Sequence, residues 1–212
     1  CVESQALKPM RKVTDTKEEA DFLENFIEDS KPAYPKVSGY HFLIQTPFRY
    51  PLPIPERFAA RFKPPYHERN VFYASETLNT ALYETAFYFL NERVSKDISQ
   101  NLEPRTKFEA QVNLENAMDL RNHKDISTLM DRNDYSASQA YVKANEAIDV
   151  LLYPSCRCPN RGTNTAVFEL SCLGKDISNE QQLDFSFNRF DDSVEIYHQH
   201  ECILRVSWEE LI

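Results

Sequence analysis

The chain has 212 residues, 42% hydrophobic and 27% charged, and a net charge of -9 at pH 7, a size and composition that a single hydrophobic core can support. No run approaches the roughly 20 apolar residues of a membrane span, and the excess of acid opposes a nucleic-acid footprint, which needs a basic face. Five cysteines at irregular spacing argue against a disulfide framework and for a reducing, cytosolic compartment.

No basic stretch followed by an apolar one opens the chain, so no secretion signal is read there. Lys17 to Glu28 carries Ala20, Phe22, Leu23, Phe26 and Ile27 at helical spacing, with Thr16 as N-cap and Lys31-Pro32 as the stop, which predicts an amphipathic helix. A proline-rich connector, Pro32 to Pro35, leads to His41–Thr46, an apolar run read as a strand that delivers Arg49 at its exit. Pro47, Pro51, Pro53 and Pro55 then forbid regular structure and stiffen the loop. Val71–Tyr73 is a short β-type run, and Ser75 is placed to cap a helix from Thr77 to about Val94, whose stripe is Leu78, Ala81, Leu82, Ala86 and Phe89. Further strands are expected over Lys107–Leu114, Val150–Tyr153, Ala166–Leu170, Val194–His198 and Cys202–Val206, and a helix over Ser136–Ala147. Strands and helices are interspersed without regular alternation, so the fold class is read as α+β.

Charge is unevenly spread: Arg49, Arg57, Arg61, Lys63 and Arg69 against Glu56 and Glu68 make the segment from Pro47 to Asn70 +3, leaving -12 for the remainder. A concave site of one sign inside an acidic protein suits a small anion such as a nucleotide pyrophosphate; a solvated loop with chance clustering is the competing reading. Only Gly39, Gly162 and Gly174 are glycines, which excludes both Gly-rich phosphate loops, so a bound dinucleotide must be held by side chains. Cys156 and Cys158 form a lone C-x-C with no second pair for zinc. His198, His200 and Cys202 share one face only if they share one strand; no metal site is expected. Glu84 interrupts an otherwise apolar and aromatic run, and Arg49 sits between Phe48 and Tyr50. A charge in such company is either paired with a counter-charge or faces a polar cleft, because an unpaired buried carboxylate costs several kcal/mol.

These residues carry a resemblance. Thr46-Pro-Phe-Arg-Tyr-Pro51, then Glu56-Arg57-Phe58, then Val71 to Glu84 with Tyr73 and Glu84 at its ends, then Tyr153-Pro-Ser-Cys-Arg157 with Gly162-Thr-Asn164 resemble the four ordered motifs of the RES-domain family, called after Arg, Glu and Ser. Val2 to Gln5 and Leu23 to Pro32 resemble the N-terminal extension of its longer members, so residues 1–36 are read as a helical extension and 37–212 as the domain. Two departures stand out: Cys156 and Cys158 flank Arg157, and Glu56 stands where many relatives carry a small residue.

The resemblance implies a mixed-sheet fold similar to ADP-ribosyltransferase toxins, and breakdown of NAD+ or transfer of ADP-ribose. It also implies, for several members, a toxin neutralised by an Xre-type DNA-binding antitoxin. It implies Arg49, Tyr73, Glu84 and Ser155 as the catalytic set. Arg49 and Arg57 would hold the pyrophosphate, Tyr73 would pack nicotinamide or ribose, and Ser155 would hydrogen-bond the ribose or carboxamide. Tyr50, Arg61, Arg157 and Asn164 complete the expected NAD+ contacts. No cofactor beyond NAD+ as substrate is implied, with inorganic phosphate, water or a protein as the acceptor; oligomeric state stays open. A protein ADP-ribosyltransferase and a non-catalytic binding module are the competing functional readings.

Overall fold

A computed structural model describes residues 1–3, 14–33, 39–96 and 102–212. In chain order the elements are β1 (Val2–Glu3), α1 (Lys17–Ser30), α2 (Phe42–Gln45), β2 (Phe72–Ser75), α3 (Leu78–Lys96), β3 (Leu102–Val112), β4 (Ala117–Asp119), α4 (Ile126–Leu129) and α5 (Ser136–Ala144). They continue with β5 (Val150–Pro154), β6 (Thr163–Val167), β7 (Leu173–Asn188), β8 (Ser193–His198), β9 (Glu201–Ser207) and α6 (Trp208–Leu211). The class is α+β, as the irregular order of elements implies.

Two sheets form. One has the order β1-β3-β7-β8-β9 and is antiparallel throughout; the other has the order β2-β6-β5-β4, with β4 and β5 parallel. Phe72, Val150 and Val167 of the smaller sheet pack with Phe108 and Leu173 of the larger, together with Leu43 and Ile44 of α2. A second cluster joins Leu82, Ala86, Phe89 and Leu90 of α3 to Leu183, Phe185, Val194 and Ile196 of the larger sheet, sealed by Leu211 of α6. The third lies on the smaller sheet under α4 and α5, around Phe62, Leu129, Val142 and Leu151. Helix α3 is thus buried along one stripe against the larger sheet, while its next face, Ala81, Glu84, Thr85 and Tyr88, looks into a cavity; spacings of three and four residues put those four side chains together.

Several local expectations need correction. His41–Thr46 is not a strand but α2, one helical turn: His41 Nδ1 accepts from the Leu43 amide, Thr46 Oγ1 donates to the Phe42 carbonyl at 2.8 Å, and Pro47 starts a 3-10 turn over Thr46–Phe48. A short apolar run has no period long enough to separate the two forms. Ser75 does not cap α3; it belongs to β2, and Thr77 Oγ1 accepts from the Thr80 amide at 3.3 Å instead. Residues Val2–Glu3 are not part of a helical extension, because β1 pairs with Thr106 and Lys107 of β3 inside the larger sheet. The expected helix before residue 30 is present as α1 with Thr16 as its cap, whereas Ser4, Gln5 and the connector's Pro35 lie outside the described residues. His198, His200 and Cys202 are divided by the β8–β9 turn, with His200 at φ 70°. Among the described residues no three metal-ligating side chains gather, and no described helix is long and apolar enough to cross a membrane.

Candidate active site

A cavity of about 400 Å³ opens where α3 meets β1 and β3 of one sheet and β2, β5 and β6 of the other. Register builds its floor. Asn164 lies between Ser75 on β2 and Tyr153 on β5, and Ala166 lies beside Tyr73, so alternation along β2 sends Tyr73 and Ser75 to the same side. Tyr73, Ser75, Tyr153 and Asn164 all line the cavity, and Glu84 descends onto them from α3.

The Glu84 carboxylate is fixed by two donors on one oxygen. Ser155 Oγ donates to Oε1 at 2.6 Å and Asn164 Nδ2 donates to the same atom at 2.7 Å. Asn164 is itself set by Ser75 Oγ, which donates to its Oδ1 at 2.6 Å. Ser155 is held from behind: its amide donates to the Gly162 carbonyl, and its hydroxyl accepts from the amides of Arg157 and Cys158 at 3.2 and 2.9 Å. With 0% exposure and no place in the cavity wall, Ser155 touches the Glu84 carboxylate and not the cavity itself. Gly162 is required here for its size, because a Cβ on it would meet Thr80 Oγ1 at 2.0 Å.

Tyr73 receives the Phe62 amide on its hydroxyl oxygen at 3.3 Å, which leaves its own hydrogen for donation. Burial pushes its phenol up, as it does that of Tyr153, so both remain neutral donors at physiological pH. The mouth is aromatic: Phe58 and Tyr88 line the cavity while 53% and 54% exposed.

The arginines divide differently from the expectation. Arg49 does not converge with Glu84. Its side chain donates to Glu28 of α1 at 2.7 Å and to the Pro32 carbonyl at 2.6 Å, and it is absent from the cavity wall. The proline-stiffened segment carries it toward α1, where it straps the helix to the body. Arg57 sits exposed on a 3-10 turn with its guanidinium 4.9 Å from the Phe58 ring centre, so it touches the mouth only through that ring. Tyr50 is exposed, and its carbonyl accepts from Asn70. Arg157 lines the cavity, but its guanidinium is committed to the carbonyls of Leu211 and Arg132 and stacked 3.7 Å from the Phe87 ring centre.

Arg61 also lines the cavity: 7% exposed, 4.6 Å from the Tyr135 ring centre, and bonded to the Leu129 carbonyl and to Cys156 Sγ. Lys63 lines the same wall, and burial lowers its ammonium. The sequence places Lys63 in the basic cluster without marking it further. Tyr135, Arg105 and Glu3 also line the cavity, and no local pattern announces them, since they come from three distant segments.

No curated protein matches the chain. The RES domain family model matches residues 34–188, a span that holds Tyr73, Glu84, Ser155 and Asn164 together with the three strands that floor the cavity, β2, β5 and β6. That match extends over well over half of the sequence, and the chain belongs to the RES-domain family.

Proposed function

We propose that the cavity receives the nicotinamide-ribose end of NAD+ and breaks the bond between those two groups, releasing nicotinamide. The observation that carries this reading is the Glu84 carboxylate, pinned on Oε1 by Ser155 and Asn164 and presented to a cavity with a neutral tyrosine and a guanidinium in its wall. Cleavage develops positive charge on the ribose ring, and a fixed carboxylate beside it stabilises that charge without reorganising at the moment of reaction. The departing ring loses its own positive charge, so no strong acid is needed on that side. Tyr73 and Tyr153 offer aromatic faces and neutral hydroxyls to the nicotinamide or ribose. Arg61 and Lys63 offer positive charge to the phosphates, the guanidinium as a fork of donors.

A pocket of about 400 Å³ is of ligand-binding size and holds part of a dinucleotide; the adenosine end would pass out over Phe58 and Tyr88. ADP-ribose goes to water or inorganic phosphate in this reading, and the cellular role is that of a toxin held in check by an Xre-type antitoxin. Incubating the purified protein with NAD+, with and without phosphate, and weighing the products tests it. Free nicotinamide together with ADP-ribose or its phosphate supports the proposal. Label appearing on a protein in lysate points instead to a protein ADP-ribosyltransferase, and NAD+ left intact under every condition leaves a binding module.

A further inference from the structure

The cavity has a second carboxylate, and it comes from outside the span that the family model matches. Strand β1 is the edge strand of the larger sheet; Glu3 lies opposite Thr106 in the register, one residue from Arg105, and both Glu3 and Arg105 line the cavity that Glu84 faces. The two carboxylates differ in their surroundings. Glu84 receives two hydrogen bonds on one oxygen, whereas among the described residues nothing donates a hydrogen bond to the Glu3 side chain. A carboxylate held in place by two donors suits electrostatic stabilisation, and one that receives none has all its lone pairs open for proton capture.

Resting on the NAD+-cleaving reading above, we propose that Glu3 is the general base for an attacking water, which makes the protein a hydrolase of NAD+ in preference to a phosphorylase. In this step the water oxygen bonds to the ribose carbon while the bond from that carbon to the nicotinamide nitrogen breaks. The electron pair of the broken bond goes to the ring nitrogen, which becomes neutral, and the water proton goes to a Glu3 oxygen. The products are ADP-ribose, nicotinamide and a proton later released to solvent. A dianionic phosphate needs no base to attack, and a carboxylate on the acceptor side repels it.

Burial raises the Glu3 carboxyl above its ordinary value, and neighbouring Arg105 pulls more weakly the other way; a raised carboxyl is a better base near neutral pH. Its charged neighbours are Arg105 from β3 and the amino group of Cys1; Glu84 and Tyr88 from α3, Tyr73 from β2, and Arg61 and Lys63 from the loop before β2 line the same cavity.

The test compares wild type with Glu3→Gln on NAD+, with and without sodium azide, whose anion attacks without giving up a proton. Expected are a kcat lowered by about 100-fold with KM little changed, and recovery in azide with ADP-ribosyl azide found by mass. Turnover by Glu3→Gln within twofold of wild type overturns the proposal, as does ADP-ribose phosphate as the main product whenever phosphate is present. Wild type that leaves NAD+ intact refutes the cleavage reading itself, a result distinct from all of these.

Discussion

Replacing Ser155 by Ala separates a residue that orients Glu84 from one that touches substrate. The hydroxyl donates to Glu84 at 2.6 Å, a bond to a charged group of the kind typically worth about 1.5–3 kcal/mol. It also accepts from the amides of Arg157 and Cys158, and a methyl on a fully buried residue returns nothing to either donor. We expect a stability loss of about 2–4 kcal/mol, which for a chain of this size lowers the melting midpoint by roughly 5–15 °C. Glu84 would keep only Asn164 as a donor, and each 1.4 kcal/mol of lost transition-state stabilisation is about tenfold in rate. The expected result is therefore a kcat lower by roughly 10–100-fold with KM within about twofold, measured as initial rates of NAD+ loss at a temperature where circular dichroism shows the variant folded. A raised KM with kcat intact would put Ser155 against the substrate and refute the positioning role.

Three further substitutions and one change of pH probe the surroundings. Gly162→Ala places a methyl 2.0 Å from Thr80 Oγ1, and overpacking of this kind costs about 1–3 kcal/mol; an unchanged melting midpoint would show that the loop and α3 do not meet so closely. Arg61→Ala should raise the KM for NAD+ by roughly tenfold or more, while Arg49→Ala should leave KM within about twofold and instead speed amide exchange in α1; the reverse pattern would return Arg49 to the site. The Glu28 carboxyl is held below its ordinary value by its hydrogen bonds from Arg49 and then Lys31. A carboxyl depressed in the folded state stabilises above its unfolded value of 4.5 and loses that contribution as the pH falls through the lower folded one. Exchange protection of α1 should therefore fall on acidification below about 4.5 and do so less in Arg49→Ala, whose Glu28 has already lost the bond.

What could be read from the sequence was local. Thr16 and the stripe after it yield α1, and the run from Val71 to Glu84 places a tyrosine and a glutamate eleven residues apart on a strand and the helix that follows it. Those two residues do share a cavity. The α2 segment misleads because Phe42, Leu43 and Ile44 suit a buried turn as well as a strand. Strand β7 has no signature in the sequence: from Gly174 to Gln182 it is polar and largely solvent-facing, and its pairing with β3 decides its conformation where propensity does not. Arg49 is legible as a cation on a stiff loop, but its partner Glu28, 21 residues earlier, is a fact of tertiary packing. For the same reason Ser155 reads as a substrate contact until its burial beneath Glu84 is seen. Glu3, Arg105 and Tyr135 reach the cavity only because edge pairing and a distant turn bring them there, and no spacing rule anticipates that.

The most direct test of the central claim is the rate of NAD+ consumption by purified wild type beside Glu84→Gln, a substitution that keeps the side chain's shape and can still receive the hydrogen bonds of Ser155 and Asn164. Removing a single preorganised electrostatic stabiliser typically costs about 100–1,000-fold in kcat, so the account expects a folded variant that binds NAD+ and turns it over at least 100-fold more slowly. Equal rates for the two proteins would contradict it.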